Sequence, residues 1–189
     1  MISHLLKSID EPRYLEIGCR GNTTFNTIPA LTKVGVDPVS GGTHRETSDE
    51  FFAKNQSTFN LIFIDGLHLY DQVHRDLENS LSCIEIGGYI VLHDMLPLNW
   101  REEFVPQFNR RAWTGDVWKV AFELIDTKDI DFQIILVDHG VGVIKVKKKG
   151  IELQNSASFL FDKRFKYLFE NISKLPLKSF ENFLKKDFG

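Results

Sequence analysis

The chain has 189 residues, of which 42% are hydrophobic, and this length and composition suit one well-packed domain. A net charge of −3 gives no general attraction to nucleic acid or to an anionic membrane, so we expect neither as a partner. The N-terminus lacks the pattern of a signal peptide, and no window reaches the roughly 18 uninterrupted apolar residues of a membrane span, so we expect a cytoplasmic protein.

Short apolar runs alternate with amphipathic segments along the first half of the chain. Strands are predicted over 14–17, 33–36, 59–64 and 89–92, and helices over 23–31, 48–55 and 70–84. Each predicted strand is apolar on both faces, which is typical of a parallel sheet covered on both sides. The alternation predicts a doubly wound, Rossmann-like α/β sheet that is mostly parallel. Thr47 and Glu50 predict a capping box at the start of the helix over 48–55.

The sequence predicts two irregular parts of the sheet. Only residues 38–42 separate the second strand from the segment that follows, and a parallel crossover normally needs a dozen residues or more. We therefore expect an abbreviated or hairpin-like edge there. Further along, residues 131–137 and 141–146 alternate apolar and polar positions around Asp138-His139-Gly140, which predicts a C-terminal antiparallel hairpin.

Residues 1–150 are predicted to form the main domain, and residues 151–189 a helical extension of it. A helix is also expected from Trp118 to Ile125, before the hairpin. The extension is rich in phenylalanine and lysine and is interrupted by Pro176. Its phenylalanines either pack on the outer helices or form a dimer face or a lid over the substrate.

The first predicted strand runs into a glycine turn, Glu16-Ile17-Gly18-Cys19-Arg20-Gly21-Asn22. A dinucleotide site requires G-x-G-x-x-G, because the backbone must approach a pyrophosphate closely, and here Arg20 stands where the second glycine belongs. The carboxylate of Glu16 repels a pyrophosphate but suits a cationic ligand. S-adenosylmethionine is such a ligand, since it carries an ammonium and a sulfonium and no phosphate.

Asp37 ends the second strand, where a carboxylate can accept hydrogen bonds from both ribose hydroxyls of a nucleoside cofactor. Nicotinamide dinucleotides need the same acid, so Asp37 alone does not distinguish the two cofactors. Ser48 opens the following helix and completes the predicted donor-binding set. That set is Glu16, Gly18, Gly21, Asp37 and Ser48.

These segments resemble the motifs of class I S-adenosylmethionine-dependent methyltransferases, with Leu15-Glu16-Ile17-Gly18 as the first and Gly35-Val36-Asp37 as the second. The closer resemblance is to a small-molecule subgroup with an Ile-Asp-Gly-x-His element, present here as Ile64-Asp65-Gly66-Leu67-His68 and followed by His93-Asp94. That subgroup includes O-methyltransferases acting on sugar hydroxyls of macrolide antibiotics. The resemblance covers roughly residues 13–146 and implies a small hydroxylated substrate, such as a sugar or glycan component.

Asp65 and Asp94 each end a predicted strand, so both carboxylates are expected at the carboxyl edge of the sheet. If the strands are neighbours, as the resemblance implies, their ends lie about 5 Å apart. Two carboxylates that close repel each other unless a proton or cation lies between them, and Mg²⁺ is a natural solution. The resemblance also implies a metal at these positions. His93 is either a residue on the metal side or a packed imidazole.

His68 lies three residues beyond Asp65, at the entrance to the helix predicted over 70–84. A substrate hydroxyl has a pKa far above 7, so methyl transfer to it needs a base or a cation that stabilises the alkoxide. We predict His68 as the base, with Asp65 as its catalytic partner. The transfer itself is an in-line displacement that depends mainly on positioning.

A long connection follows Asp94, and its length is typical of a functional loop. Trp100 and Trp113 either stack on the substrate or anchor the loop to the body of the protein. Arg110 or Arg111 is a candidate to bind an acidic substrate group.

The sequence therefore favours a metal-assisted O-methyltransferase of a small hydroxylated molecule. A second hypothesis is an NAD-dependent oxidoreductase, which Arg20 disfavours. A third is a noncatalytic module that binds S-adenosylmethionine without turnover. A homodimer is left open.

Overall fold

The computed structural model describes residues 1–7, 9–108, 112–154 and 157–185. Within these residues the chain forms one seven-stranded sheet with the order β2-β1-β3-β4-β6-β5-β7. The first four strands run parallel, and β6 is antiparallel to both β4 and β5. This mostly parallel sheet with an antiparallel pair confirms the predicted fold class. The strands are β1 (Arg13–Ile17), β2 (Thr32–Val36), β3 (Phe59–Ile64), β4 (Ile84–Leu92), β5 (Ile130–Ile135), β6 (Val141–Val146) and β7 (Leu177–Lys178).

Helices connect the strands and continue beyond the hairpin. In the described residues, no helix is both long enough and apolar enough to cross a membrane. The helices are α1 (Ile2–Leu6), α2 (Thr23–Thr27), α3 (Ser48–Lys54), α4 (Tyr70–Cys83), α5 (Trp100–Glu103), α6 (Lys119–Leu124), α7 (Ala157–Leu160), α8 (Phe165–Asn171) and α9 (Phe180–Lys185), with a 3-10 turn at Ile172–Lys174.

Two helix ends show how local sequence sets these boundaries. The predicted capping box of α3 is present, because Thr47 and Glu50 each accept a hydrogen bond from the other's backbone N–H. Helix α2 ends at Thr27, earlier than predicted. Ile28 precedes Pro29 and is extended, since the proline ring disfavours a helical conformation of the residue before it.

The sheet is covered on both faces, so alternate residues of each strand enter different cores. Leu15 and Ile17 of β1 pack in a core with α3, α4, α6 and α8. Tyr14 lies in the second core, which α1, α2 and α9 cover. Glu16 is two residues beyond Tyr14 and therefore shares its face of the sheet.

The C-terminal segment contains a strand as well as helices. Leu177 of β7 pairs in parallel with Ile134 of β5, which the helical prediction for this segment did not include. Phe183 is fully buried against the sheet, while Phe161 and Phe169 remain exposed. Phe188, which belongs to the same predicted group, lies outside the described residues.

The edge of the sheet beyond β2 is abbreviated, as the short connection predicts. His44 forms an isolated parallel bridge with Val36 instead of opening a full strand. The N–H groups of Thr43 and His44 both donate to the carbonyl of Gly35, which holds this turn against β2.

The carboxyl ends of β1 to β4 lie at one level. Ile17 pairs with both Val36 and Ile64, and Ile64 pairs with Leu92. Hydrogen bonds extend this ladder one residue further, from Asp65 N–H to Ile17 and from His93 N–H to Ile64. Residues that follow directly after these four strands are therefore brought to one edge of the sheet.

Candidate active site

A cavity of about 810 Å³ opens at this edge, a volume typical of small-molecule sites. The predicted site residues come from five segments of the chain, and the structure brings all of them to its wall. They are Glu16, Gly18, Gly21, Asp37, Ser48, Asp65, His68, His93 and Asp94.

Two residues of the glycine turn that are not glycine have positive φ values. Arg20 and Asn22 have φ values of 45° and 62°, in the left-handed region that glycine adopts most easily. Gly18 is needed for a different reason, because a Cβ there would lie 2.1 Å from the carbonyl oxygen of Asp65. A Cβ on Gly21 would meet nothing within 4 Å in the described part of the chain, so Gly21 leaves space at the cavity wall.

Asp37 fastens two turns together at the cavity. Its Oδ2 accepts from the N–H of Arg20 at 2.7 Å, and its Oδ1 accepts from Val39 and Ser40 at 2.8 Å each. Burial alone would raise the pKa of Asp37, but these three backbone donors hold it below its ordinary value. A carboxylate has about four acceptor positions, so Asp37 retains capacity for one ribose hydroxyl rather than the two expected from the sequence.

Glu16 places a buried carboxylate at the cavity and is only 1% exposed. The hydroxyl of Tyr14 donates to Glu16 Oε2 at 2.5 Å. Burial raises the pKa of Glu16 to about 7, although the hydrogen bond from Tyr14 opposes that shift. A carboxylate in this position has a strong electrostatic preference for a cation. Tyr14 was missed by the sequence interpretation, and its position two residues before Glu16 was the available signal.

Asp65, His68 and Asp94 form a second group on the cavity wall, a compact cluster. Each offers one ligand atom, and these three atoms lie within 4.8 Å of one another. Asp94 has a left-handed backbone with φ 58°. The sequence predicted the meeting of the two carboxylates, and it also placed His68 beside them.

A backbone carbonyl of the long loop orients the His68 ring. His68 Nδ1 is 2.9 Å from the carbonyl oxygen of Trp113, which can only accept, so the proton is assigned to Nδ1. The Trp113 ring stacks on the imidazole at 5.3 Å. Nε2, 3.6 Å from Asp65 Oδ1, is left as the nitrogen that can take up a proton. Burial lowers the pKa of His68, but the carboxylates of Asp65 and Asp94 produce a net rise.

The loop that carries Trp113 is clamped onto the start of α4. Asp116 accepts from the N–H of Tyr70 at 2.8 Å and from the buried ammonium of Lys119 at 2.9 Å. Gly115 has φ 58°, and a Cβ there would lie 1.7 Å from the carbonyl oxygen of His68. Trp113 thus anchors the loop, which was one of the two interpretations of its role.

Trp100 does not line this cavity. It stacks on Phe108 at a centroid distance of 5.9 Å and borders a separate apolar cavity of about 570 Å³ between α5 and α8. Arg110 and Arg111, the candidates for an acidic substrate group, lie outside the described residues.

His93 lies between the two carboxylates. Its Nδ1 is 3.3 Å from Asp65 Oδ1 and 3.3 Å from Asp94 Oδ1, and its Nε2 is 3.0 Å from Asp138 Oδ2. Burial lowers the pKa of His93, but Asp65 and Asp94 outweigh it and raise the pKa to about 11. Without a metal, the imidazolium supplies the positive charge that the two carboxylates require.

The same geometry fits a divalent cation. His93 Nδ1 is buried and has no well-oriented hydrogen bond among the described residues, although two carboxylate oxygens are close. A cation bound to Asp65 and Asp94 would occupy the region towards which this nitrogen is directed. The donor set of carboxylate oxygens and imidazole nitrogens is one that proteins use for divalent metals.

A polar wall formed by α3 and α4 was missed from the sequence apart from Ser48. Gln72 donates to Ser48 Oγ at 3.2 Å and to Asp76 Oδ1 at 3.1 Å. Asp76 is 1% exposed, lines the cavity, and its Oδ2 has no hydrogen bond in the described residues. Burial raises the pKa of Asp76. An acid on the apolar face of the predicted helix, between Val73 and Leu77, was the available signal.

Comparison with known proteins supports a methyltransferase assignment of the fold. A family model described as a methyltransferase domain matches residues 36–95, from the end of β2 to just beyond Asp94. The structure is similar to the SAH-bound methyltransferase PaMTH1 of Podospora anserina, with a TM-score of 0.56, 17% identity, and coverage of 78% of this chain and 76% of that one. The chain has the fold of a methyltransferase. A search of curated proteins gives no match.

Two further solved structures share this methyltransferase fold. An O-methyltransferase from Bacillus cereus in complex with SAH has a TM-score of 0.54 and 18% identity, covering 77% of this chain and 79% of that one. MycE, a methyltransferase of the mycinamycin biosynthetic pathway solved with Mg and SAH, has a TM-score of 0.51 and 16% identity. The match covers 77% of this chain but only 48% of MycE. At these identities the likeness concerns the fold alone.

Proposed function

We propose that the protein is an S-adenosylmethionine-dependent O-methyltransferase of a small hydroxylated molecule such as a sugar, assisted by a divalent cation. One observation carries the proposal. A single cavity is lined both by a buried carboxylate, Glu16, which we call its donor end, and by the cluster of Asp65, His68 and Asp94, which we call its acceptor end. The first suits a cationic methyl donor, and the second suits a hydroxyl that must lose a proton.

Charge selects the donor at the Glu16 end. The ammonium of S-adenosylmethionine can pair with the Glu16 carboxylate, whereas a pyrophosphate would meet a buried negative charge and no second glycine. Asp37 can accept from one ribose hydroxyl through Oδ2. The solved structures of PaMTH1 and the Bacillus cereus enzyme hold SAH, which supports the same ligand for this fold.

His68 is the proposed base at the other end. Because Trp113 holds the proton on Nδ1, the lone pair of Nε2 is available to a substrate hydroxyl in the cavity. Asp65, 3.6 Å from Nε2, then stabilises the imidazolium that forms. The methyl group moves by in-line displacement, so the cavity contributes mainly by holding donor and acceptor in line.

Asp65 and Asp94 would hold the cation, with His93 beside them. When bound, a divalent cation stabilises the alkoxide form of a hydroxyl. MycE was solved with Mg and SAH, which supports a metal in this fold. The sugar class of acceptor rests on the Ile64 to His68 motif and its resemblance to the macrolide-sugar subgroup.

Calorimetric titration with S-adenosylmethionine and with NAD, each with and without Mg²⁺, tests the donor. We expect S-adenosylmethionine to bind and NAD not to bind. Glu16→Gln should weaken S-adenosylmethionine binding about 10- to 100-fold, since a charge-assisted hydrogen bond contributes roughly 1.5–3 kcal/mol. Glu123→Gln is the matched control, because Glu123 is also buried but does not line the cavity. Binding of NAD in place of S-adenosylmethionine would overturn the proposal.

Transfer of a labelled methyl group to a panel of sugars and other small alcohols tests the reaction. Product is expected with at least one hydroxylated acceptor. Binding of S-adenosylmethionine without product from any acceptor, with and without divalent cations, would contradict the catalytic part and favour a noncatalytic module.

A further inference from the structure

The donor atoms around the carboxylate cluster include imidazole nitrogen as well as oxygen. We infer that His93 Nδ1, Asp65 and Asp94 together bind a first-row transition dication of the Fe²⁺ to Zn²⁺ group in preference to Mg²⁺, with Asp138 orienting His93. This inference rests on the proposed metal site and names the class of ion that it takes.

Two of the spacings between these donor atoms match one coordination shell, and an oxygen of Asp65 and one of Asp94 also lie within 4.8 Å of each other. Metal bonds of about 2.1 Å place neighbouring ligands about 3.0 Å apart in an octahedron and about 3.4 Å apart in a tetrahedron. The two distances from His93 Nδ1, to Asp65 Oδ1 and to Asp94 Oδ1, are each 3.3 Å. Nδ1 is buried and lacks a well-oriented hydrogen bond among the described residues, so a cation that displaces its proton would break no well-formed hydrogen bond there.

Asp138 has the position of a residue that orients a metal-binding histidine. Such histidines usually donate their other N–H to a carboxylate, which fixes the tautomer and strengthens the ligand. Here the other nitrogen, His93 Nε2, is 3.0 Å from Asp138 Oδ2. With its proton held at Nε2, His93 presents the lone pair of Nδ1 between the two carboxylates.

The turn that carries Asp138 is held firmly beside the site. Its residues Asp138, His139 and Gly140 have successive φ values of 44°, 56° and 81°. The N–H of Met95 donates to Gly140 at 2.9 Å, and the N–H of Leu96 donates to His139 at 2.6 Å. These hydrogen bonds join the hairpin to the residues immediately after Asp94. They therefore fix the position of Asp138 relative to the metal cluster.

The nitrogen ligand decides the class of ion. Mg²⁺ favours oxygen ligands and retains several waters, whereas imidazole suits Fe²⁺, Ni²⁺, Cu²⁺ and Zn²⁺. A site of three oxygen ligands would suit Mg²⁺, Ca²⁺ or Mn²⁺. A set in which one ligand is imidazole moves the preference towards the later transition metals.

Co²⁺ is the probe for the test, because its visible absorption reports coordination and the assay needs no turnover. The full-length protein is stripped of metal with a chelator and titrated with Co²⁺, and Mg²⁺ is then added as competitor. We expect Co²⁺ to bind at least about tenfold more tightly than Mg²⁺. His93→Asp, which makes the donor set all oxygen, should reduce that ratio at least about tenfold. Asp138→Asn should weaken Co²⁺ binding about 10- to 100-fold.

Asp129→Asn is the matched control for Asp138→Asn. Asp129 lies directly before the hairpin and Asp138 lies in its turn, both are more than half exposed, and both have a left-handed backbone that asparagine tolerates. The control should leave the Co²⁺ affinity unchanged. Circular dichroism checks that His93→Asp folds, and Asp138→Asn provides the test if it does not.

Equal affinity for Co²⁺ and Mg²⁺, unchanged Co²⁺ affinity in Asp138→Asn, or no Co²⁺ binding would each overturn the inference. Titration of the same metal-free protein with S-adenosylmethionine distinguishes failure of the ion assignment from failure of the proposed function. If S-adenosylmethionine binds normally and Co²⁺ shows no preference, only the ion assignment is lost.

Discussion

The two ends of the cavity are built in different ways. The donor end is largely local: Glu16 lies in β1, the turn through Asn22 follows that strand directly, and Asp37 ties that turn to the next one. The acceptor end is assembled from β3, β4, the 95–118 loop and the β5–β6 hairpin, which meet only in the folded protein. The local end therefore has a readable motif, whereas the assembled end depends on tertiary contacts.

The largest effect is expected at the assembled end. His68→Gln should lower the methyl-transfer rate about 10²- to 10⁴-fold, the usual range for losing a general base. Affinity for S-adenosylmethionine should remain within about twofold, because the contacts of His68 are with Asp65, Asp94 and Trp113 rather than with Glu16 or Asp37. Turnover and calorimetry on the same preparation measure both quantities. A comparable loss of donor affinity would show that the two ends are not independent.

Gly115→Ala tests whether the long loop positions His68. A Cβ on Gly115 would meet the His68 carbonyl at 1.7 Å and would also strain a left-handed backbone, so the loop must shift. We expect turnover to fall at least about tenfold with donor affinity retained, since a 1 Å misplacement costs up to about 100-fold. Gly150→Ala is the control, because Gly150 is also left-handed but has open space around it. Unchanged turnover in Gly115→Ala would contradict the positioning role.

At the donor end, binding of S-adenosylmethionine should depend on pH through Glu16. The pKa of Glu16 is raised to about 7 in the free protein, and pairing with an ammonium favours the ionised form. Affinity should therefore be complete above pH 7 and fall about tenfold per pH unit below it. Glu16→Gln should remove this dependence. A flat profile in the unmodified protein would show that the Glu16 carboxylate is not the group that binds the ammonium.

Tyr14→Phe tests the role of Glu16 ionisation through a smaller effect on affinity. Its hydroxyl stabilises the ionised form of Glu16, so its removal should raise the pKa of Glu16 further. If that hydrogen bond is worth about 1 kcal/mol, its loss lowers the ionised fraction of Glu16 at pH 7 about threefold, which predicts a loss of affinity of the same size. The loss should disappear at pH 9, where Glu16 ionises in either protein. A loss that persists at pH 9 would indicate a packing defect instead.

The smallest effect is expected in the glycine turn itself. Arg20→Gly should relieve the left-handed strain and stabilise the protein by about 0.5–1 kcal/mol in urea unfolding. Leu31→Gly, at an exposed position without left-handed φ, should instead be neutral or destabilising. Destabilisation by Arg20→Gly would mean that the side chain of Arg20 contributes more than its backbone strain costs.

Much of the fold follows from local pattern. The strands at 14–17 and 59–64 and the capping box at Thr47 are confirmed, because continuous apolar runs and a capping pair depend on near neighbours. Strand β4 begins at Ile84, whereas the prediction began at residue 89. The first half of the strand was missed because it contains Gly87, with φ 82°, and pairs irregularly with β3. β7 has only two residues, too few for a periodic signal.

In the candidate site too, the features that follow from strand ends were predictable, and those that depend on tertiary contacts were not. Asp65 and Asp94 were expected at one edge because parallel strands end there, the resemblance implied that their strands are neighbours, and the structure places them together. Asp138 was not expected at the site, because its approach to His93 depends on the antiparallel insertion of β6 beside β4. Trp113 acts through its backbone carbonyl, which no residue type encodes.

A crystal structure of the protein with bound S-adenosylhomocysteine tests most directly the claim that one cavity holds both halves of the reaction. The account predicts the amino group of the ligand at Glu16, one ribose hydroxyl at Asp37, and the sulfur facing the Asp65, His68 and Asp94 cluster. A ligand bound outside this cavity, or one with its sulfur directed away from that cluster, would contradict it.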